Sequence, residues 1–347
     1  MSVDVNITTD VRRKRKKMNY IGMDIHKQFT FAVAKDEQGI EICEDKFENS
    51  KANFQSFLLR FKPEETRIVM ESTGVWEYIY SILESLNYSV KLANPFKTKA
   101  IAYAKIKTDK VDASMLSDLL RANLIAESYI PPKEVRILRE MIRMRKMAVK
   151  QKTQCENRLH ALLTKKGISL PKKSLCKGSI QFLSEIENEP NIKEYLEIIS
   201  FLRNRVKNFD KQVEEEAVSN ENALILMSFP GIGCIHAMEI ISEIGDIKRF
   251  QTADKLCSYA GLVPSIRQSG NTLHLGSLMK QSSRTLKHSF IQTAWIAIGV
   301  RESNPLQEFY KKLAKKKGKQ KAICAVARKI CCVVYAMLTK KEQYRYS

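Results

Sequence analysis

The segment from Tyr20 to Phe47 constrains the fold most strongly, because apolar and polar residues alternate along it. Alternation with a period of two is typical of strands that bury one face. A polar turn at Asp36–Gly39 interrupts the pattern, so the segment predicts a meander of three strands. Asp24 falls inside the first of these strands, where a carboxylate is costly unless it is paired or binds a metal.

The pattern after this meander changes to alternating helices and strands. A short apolar strand ends at Glu71, and an amphipathic helix with Trp76 and Leu83 on one face follows it. We also expect a helix over Asn53–Phe61, a strand over Tyr88–Ala93, and a helix that starts near Lys97 or Asp109 and continues past Leu120. Three strands, a helix and then alternating elements match the ribonuclease-H-like order. The predicted fold class is therefore α/β for residues 19–130.

The remaining chain has a helical period. Pro131-Pro132 ends the first domain and opens a helix. Two heptad-like runs, from Ile137 to Leu162 and from Ile199 to Val213, flank a basic break at Lys165–Lys177. They predict a helical or coiled-coil region over residues 131–220, although two helices packed within one chain explain them equally well. Residues 221–347 are expected to form a mainly α domain with a helix-hairpin-helix-like element.

The charge balance indicates a polyanionic partner. The chain has 59 Lys and Arg against 38 Asp and Glu, a net charge of +21, and basic side chains gain affinity for nucleic acid by releasing phosphate counterions. Residues 1–18 look like a disordered basic arm, either a solvated tail or a phosphate contact. The eight cysteines form no CxxC pair, no secretory signal is evident, and the apolar stretch Ile330–Leu338 is too short to span a bilayer. We therefore expect a cytoplasmic protein without a membrane partner.

Four carboxylates are candidates for a catalytic metal site. They are Asp24, Glu71, Asp109 and Asp112, with Asp118 as a weaker competitor on the same helix. Asp109 and Asp112 are spaced i, i+3, so both can project from one helix face. If the four converge, Mg²⁺ would offset their repulsion, and two ions, with Mn²⁺ as a possible substitute, suit phosphodiester exchange. Taken singly each acid has an ordinary explanation, such as Asp109 capping a helix.

Two further motifs lie in the C-terminal region. Pro230-Gly231-Ile232-Gly233 resembles a hairpin whose backbone amides approach a phosphate, and an ordinary helix–helix turn explains it as well. Ser269 precedes Gly270 in a polar segment with Arg267, Lys280, Arg284 and Lys287 nearby. We expect Gly270 and these four basic residues, together with Gly231 and Gly233, to contact nucleic acid. Spacing alone makes Ser269 a turn residue, with Ser265, Ser282 and Ser283 as equal competitors for a nucleophile.

The order of several segments resembles one family, the DEDD-type insertion-sequence transposases of the IS110 family, which are bridge-RNA-guided serine recombinases. The resemblance spans about Tyr20 to Met337. The segments that carry it are YIGMDIHK, IVMESTGVWE, NPFKTKAIAYAKIKTDKVDA, FPGIGCIHAMEIISEIGDIKRF, YAGLVPSIRQSG and KKGKQKAICAVARKI.

This resemblance implies a RuvC-like domain that uses Asp24, Glu71, Asp109 and Asp112, and a transposase domain whose Ser269 attacks DNA and forms a phosphoserine link. It also implies donor and target DNA, a structured guide RNA, and a homodimer that becomes a tetramer at synapsis, with domains of different protomers composing one active site. Beyond the Ser-Gly pair, Gly276 and Lys280 fit the family pattern. Ser282 stands where a glycine is expected, and Lys287 stands where an arginine is common. A lysine cannot bind phosphate through two parallel hydrogen bonds as an arginine does.

Three functions fit these observations. The first is a DNA transposase or recombinase that uses the carboxylates and Ser269. The second is a nuclease like a Holliday-junction resolvase, which uses carboxylates and water without a serine intermediate. The third is a non-catalytic nucleic-acid-binding protein. The complete acidic quartet argues against the third, and the full C-terminal region argues against the second.

Overall fold

The computed structural model describes residues 17–101, 108–170, 175–186, 189–269, 272–300 and 304–345. The chain divides into two compact units, Met1–Ile130 and Pro131–Ser347. The basic arm expected over residues 1–18 lies outside the described residues, apart from its last two positions.

The N-terminal unit is a mixed α/β domain around a five-stranded sheet in the order β3-β2-β1-β4-β5. β1 pairs antiparallel with β2 and parallel with β4, β2 pairs antiparallel with β3, and β4 pairs parallel with β5. The three-strand meander and the later alternation of helices and strands are thus confirmed. The elements are β1 (Asn19–Ile25), β2 (Phe29–Lys35), β3 (Glu41–Glu48), α1 (Lys51–Leu58), β4 (Thr66–Glu71), α2 (Trp76–Ser85), β5 (Ser89–Ala93), α3 (Pro95–Ile101) and α4 (Asp109–Arg121).

The two faces of this sheet have different partners. Ile21 and Met23 of β1 belong to a buried cluster with Phe54 of α1 and Ile79 of α2. Side chains on alternate strand positions point to the opposite face, where Val69 of β4 packs with Leu116 of α4. Gly22 and Asp24 of β1, and Glu71 of β4, alternate with the first set and therefore lie on the α4 face.

Gly22 allows α4 to lie directly against β1. A Cβ at this position would overlap the Ala113 carbonyl oxygen and would stand 2.5 Å from the Ser117 nitrogen. The Ser117 hydroxyl donates a hydrogen bond of 2.8 Å to the Tyr20 carbonyl, which holds the helix at this register. The first turn of α4 is thereby placed beside the end of β1.

The C-terminal unit is mainly helical. Its elements are α5 (Lys133–Lys165), α6 (Lys177–Ser184), α7 (Pro190–Ser219), α8 (Glu221–Met227), α9 (Cys234–Ile244), α10 (Ala253–Tyr259), β6 (Pro264–Ser269), β7 (Thr272–Leu278), α11 (Arg284–Gly299), α12 (Pro305–Lys317) and α13 (Lys319–Lys340). The antiparallel pair β6–β7 was not predicted, because its residues form a polar segment between helical patterns.

The long helices α5 and α7 pack on each other within the chain. Ile142 near the start of α5 shares a cluster with Val213 near the end of α7, and Leu159 shares another with Ile192, so the two run antiparallel. Arg145 bonds Asp210 across the pair. Intramolecular packing, one of the two explanations of the heptad-like runs, is therefore present. The heptad positions Ile137 and Met144 are 60% and 43% exposed, so this packing does not cover the whole heptad stripe.

Helix α13 lies in the core of this unit. By length and composition it is the one helix among the described residues that is apolar enough to cross a membrane, and half of its apolar window is buried. Its residues Val326, Ile330 and Val334 are fully buried in the cluster that also contains α9 and α11. The apolar stretch from Ile330 to Leu338 therefore belongs to a buried helix, as its sequence indicated.

Candidate metal centre and nucleic-acid interface

Asp24 and Asp109 come together at the end of β1. The Nε2 atom of His26 lies 3.2 Å from Asp24 Oδ2 and 3.3 Å from Asp109 Oδ1. One ligand atom of each of these three residues lies within 4.8 Å of the other two. The arrangement offers carboxylate and imidazole ligands to a divalent cation.

Local structure explains how α4 presents its acids. The Thr108 hydroxyl caps the helix by accepting a hydrogen bond from the Val111 amide, so Asp109 is the first helical residue and not the cap. Asp109 and Asp112 both lie in the first turn. Negative charge is favourable at this end of a helix, because the first amides are unpaired and the helix dipole is positive there.

The electrostatics of Asp24 are those of a crowded site. Its side chain is only 16% exposed. Burial raises its pKa, the nearby His26 lowers it, and the charges of Asp112 and Asp109 raise it further, with a net upward shift. The charge of Asp112 therefore acts on Asp24 as well, and the ionised form of Asp24 is destabilised in this site.

Glu71 lies at the same edge of the sheet. β1 and β4 are parallel with Met23 opposite Met70, so Asp24 and Glu71 occupy the next position of each strand on the α4 face. Glu71 is half-buried. Strand register and helix capping thus bring all four sequence-predicted acids to one end of the sheet.

Asp118, the weaker candidate from the same helix, has another partner. The Lys35 ammonium donates a hydrogen bond of 2.6 Å to Asp118 Oδ2 and one of 3.3 Å to the Ser114 carbonyl. Lys35 is 7% exposed, and a buried ammonium needs such a partner. Asp118 is therefore an ion-pair residue that fastens α4 to β2.

The C-terminal serines differ in their surroundings. Ser269 is the last residue of β6 and pairs with Thr272 of β7, so it lies at the tip of a hairpin. Ser283 caps α11 through the Leu286 amide, and its hydroxyl bonds Glu243 Oε2 at 2.9 Å. Ser282 donates to the Met279 carbonyl. These bonds give Ser282 and Ser283 structural roles. The side chains of Ser269 and Arg267, and the whole of Gly270, lie outside the described residues.

Comparison with known proteins gives the same family in both units. The model for DEDD transposases of the IS110 type matches residues 21–167, and the model for transposases of the IS116/IS110/IS902 family matches residues 223–311. The chain belongs to the IS110 family of transposases. The first match includes all four acids, and the second includes Ser269.

Several relatives agree with this membership. The transposase for insertion sequence element IS1111A of Coxiella burnetii is 24% identical over 98% of this chain and 95% of that protein. The pilin gene-inverting protein of Moraxella bovis is 25% identical over 94% of this chain and 97% of that protein. A transposase for insertion sequence element IS1533 of Leptospira borgpetersenii is 29% identical over 68% of this chain and 72% of that protein.

Both glycines of the Pro230–Gly233 turn border a cavity of about 900 Å³ in the C-terminal unit. Gly231 has φ +95°, and a Cβ there would stand 3.2 Å from backbone atoms of Ala297 and Thr293, so the turn needs glycine to pack on α11. Arg284, predicted to contact nucleic acid, also lines this cavity. Lys280 follows β7 and is exposed, and Lys287 in α11 is half-buried; neither lines the cavity.

Sequence reasoning missed His26 and the buried acids of α9. His26 follows Asp24 by two positions, and strand alternation was the signal that would have placed the two on one face. Glu239 and Glu243 are 3% and 6% exposed. Glu239 pairs with Lys146 at 3.3 Å and accepts a bond from the Ser289 hydroxyl, and Arg143 lies 3.5 Å from Glu243.

Proposed function

We propose that this chain is the transposase of an insertion sequence, an enzyme that cuts and rejoins DNA strands. The observation that carries the proposal is the cluster of Asp24, His26 and Asp109 in a chain of this family. The net charge of +21 suits a DNA partner. A relative named for inverting a pilin gene supports strand exchange as well as cleavage.

We infer that the N-terminal unit is a RuvC-like domain of the ribonuclease-H-like class. The sheet order β3-β2-β1-β4-β5, with β4 and β5 parallel to the central β1, supports this assignment. The acids at the ends of β1 and β4 and in the first turn of α4 support it too. Residues 131–220 and 221–347 are proposed as a helical segment and a transposase segment of the second unit.

The residues present fit a divalent cation. Asp24 is mostly buried, and burial together with neighbouring acids raises its pKa, so a cation there relieves a charge that the protein alone leaves unfavourable. We propose Mg²⁺, held by Asp24, Glu71, Asp109 and Asp112. His26 lies beside them and is not needed as a ligand, because this hard cation prefers oxygen. When bound, such a cation activates an oxygen nucleophile and stabilises charge on the phosphate.

The chain's own residues have definite parts in this site. Asp24 and Glu71 are fixed by strands, and Asp109 and Asp112 by a capped helix, so their carboxylates are positioned before substrate arrives. The imidazole of His26 lies between Asp24 and Asp109 and stacks on Phe29 with ring centroids 4.5 Å apart. We propose that His26 keeps these two carboxylates together while no cation is bound.

We propose Ser269 as the nucleophile on DNA. Its position at the tip of the β6–β7 hairpin supports access by a strand of DNA, and the structural bonds of Ser282 and Ser283 leave fewer competitors. In this step the Ser269 Oγ–P bond forms, one P–O bond to deoxyribose breaks, and the released sugar oxygen takes up the proton that the serine hydroxyl loses. Reversal by another strand's hydroxyl rejoins DNA and frees the serine.

The test is capture of a covalent adduct with cognate DNA and RNA from the element. We expect a protein–DNA adduct from the wild type, none from Ser269→Ala, and a normal adduct from the control Ser265→Ala. Asp24→Asn should abolish the adduct while RNA binding persists. Strand exchange by Ser269→Ala would refute the serine role. Cleavage without any adduct would favour the resolvase-like nuclease, which uses the carboxylates alone.

Guidance by a structured RNA and assembly as a dimer, with a tetramer at synapsis, are part of the same proposal and rest on the family. An RNA transcribed from the flank of the element should co-purify with the protein and should be required for adduct formation at a chosen sequence. Light scattering of the protein with RNA, and then with both DNA partners, measures the assembly.

A further inference from the structure

We propose that the cavity between α5, the α8–α9 turn and α11 binds one unpaired nucleotide of a nucleic-acid strand, with its phosphate at the start of α9 and its base against the apolar walls. The inference rests on the proposed function in that it supplies a contact for the DNA or RNA partner. It assigns a site apart from the carboxylate cluster.

Gly233 is the first observation behind this site. It precedes α9 with φ −87° and ψ 176°, a conformation open to any residue, and none of the described atoms lies within 4 Å of the position its Cβ would take. Neither backbone strain nor packing requires glycine there, in contrast to Gly231. A bare backbone facing a cavity allows a ligand to approach the chain closely.

The start of α9 is open to an anion. Among the described residues no side chain caps this helix, and its first backbone bond is the one from the Ala237 amide to the Gly233 carbonyl. The amides of the first turn face the same end of the helix, where they attract negative charge. Cys234, Ile235 and His236 of this turn all line the cavity.

Basic side chains of two other helices add positive charge beside the start of α9. Arg145 and Lys146 of α5 line the cavity and are balanced by Asp210 and Glu239. Lys150 of α5 and Arg284 of α11 also line it, are exposed, and have no ion pair within the described residues. The cavity therefore carries a surplus of positive charge, which suits a phosphodiester.

The walls favour a base beside that phosphate. Val149, Ile232, Ile235 and Ile296 line the cavity, and Ile296 is 47% exposed. Burial lowers the pKa of His236. The charge of Glu239 opposes this shift, whereas the charges of His288, Lys146 and Arg145 add to it. A neutral imidazole therefore faces the cavity. About 900 Å³ is ample for a nucleotide. Stacked and paired bases of a duplex cannot enter such a space, so the occupant is unpaired.

The test compares two substitutions with one matched control, in the full chain. Gly233→Ser adds a hydroxyl that accepts a hydrogen bond from a first-turn amide of α9. That amide is then no longer available to the phosphate, so binding should weaken. The new cap should preserve or raise the melting temperature. Lys150→Gln removes one free cation. Lys165→Gln makes the same change 15 residues further along α5, about 22 Å away.

Binding is measured by fluorescence anisotropy with labelled strands of dT, of U, and of an abasic backbone, each about 12 nucleotides long, within the range of single-stranded binding sites. We expect the wild type to prefer strands with bases. Gly233→Ser and Lys150→Gln should each lose roughly tenfold on those strands, and Lys165→Gln should stay within about twofold. The dT and U arms show whether DNA or RNA supplies the nucleotide.

Three results would overturn the assignment: equal affinity of the wild type for the abasic strand, normal binding by Gly233→Ser, or equal losses in Lys150→Gln and Lys165→Gln. If Gly233→Ser fails to fold, the two lysine variants decide the question. Asp24→Asn should retain the binding preference, because the carboxylate cluster lies in the other unit. Failure of the wild type to form a DNA adduct would thus count against the proposed function and leave this result intact.

Discussion

Replacement of Asp24 by asparagine should stabilise the protein when divalent cations are removed. Burial and the neighbouring Asp112 and Asp109 raise the pKa of Asp24, with His26 opposing them. A carboxyl group whose pKa is higher in the folded state than in the unfolded state binds its proton more tightly when folded. Stability therefore falls as pH rises from the unfolded pKa through the folded pKa, and the full penalty is present above the folded pKa. The neutral amide of the Asp24→Asn variant carries no charge and avoids this penalty.

The size of the effect follows from the geometry. Ligand atoms of Asp24 and Asp109 lie within 4.8 Å of each other. Two unit charges at that separation repel by about 3.5 kcal/mol at an effective dielectric constant of about 20 and by about 0.9 kcal/mol in water. The Asp109 side chain is 39% exposed and His26 offers attraction, so a net gain of about 1 kcal/mol is expected. That gain corresponds to roughly 2–4 °C in melting temperature.

The matched control is Asp118→Asn, the same substitution in α4. Asp118 accepts a hydrogen bond of 2.6 Å from the buried Lys35 ammonium. Asparagine in its place removes the negative charge and leaves this ammonium only neutral acceptors, the amide oxygen and the Ser114 carbonyl. Asp118 is 46% exposed, and water can partly replace it. A loss of about 1–2 kcal/mol follows. The two substitutions should therefore move stability in opposite directions.

Thermal melts by circular dichroism in EDTA, and then with increasing Mg²⁺, measure both effects. The wild type should gain stability as Mg²⁺ is added, because a cation that binds only the folded state shifts the equilibrium towards it. Asp24→Asn should gain much less. The reasoning is wrong if Asp24→Asn is as destabilising in EDTA as Asp118→Asn, since Asp24 would then be a structural hydrogen-bond acceptor.

Three further predictions concern packing and charge. Gly22→Ala should destabilise the protein by more than about 2 kcal/mol in urea melts, because its Cβ would meet the Ala113 carbonyl oxygen; a neutral result would mean that α4 moves freely on β1. Gly231→Ala should lower the free energy of unfolding by about 1–2 kcal/mol, since φ is +95° there. Gly233→Ala should change stability little. Equal losses from the two substitutions would contradict the different roles given to these glycines. Affinity for duplex DNA should fall about 10³-fold or more between roughly 50 and 200 mM salt, and a flat response would contradict the role given to the charge of +21.

Much of the N-terminal unit follows from periodicity. The period of two in β1 identifies its buried residues, Ile21 and Met23, and places Asp24 on the other face. The same rule extends to His26, yet a histidine beyond the strand's apolar run has many ordinary roles. What identifies His26 as a site residue is its distance of 3.3 Å from Asp109. The two residues are far apart in the chain, so local sequence carries no sign of this contact.

The β6–β7 hairpin was not predicted for a different reason. Its strands contain Arg267, Gln268 and His274 and lack the apolar run that marks a buried strand. Gly270-Asn271, which separates the two strands in sequence, is a dipeptide typical of two-residue hairpin turns, and this was the available signal.

Sequence alone leaves open whether the acids of α4 reach the ends of β1 and β4. Periodicity assigns Asp24 and Glu71 to strand ends and Asp109 to a helix start, but it does not fix how far α4 slides along β1. A shift of one helical turn would move the α4 acids by about 5.4 Å, beyond reach of Asp24. Close packing at Gly22 and the ion pair of Asp118 with Lys35 select one position. The proposed metal centre would thus depend on residues outside the carboxylate cluster, and Gly22→Ala should weaken Mg²⁺ binding even in protein that remains folded.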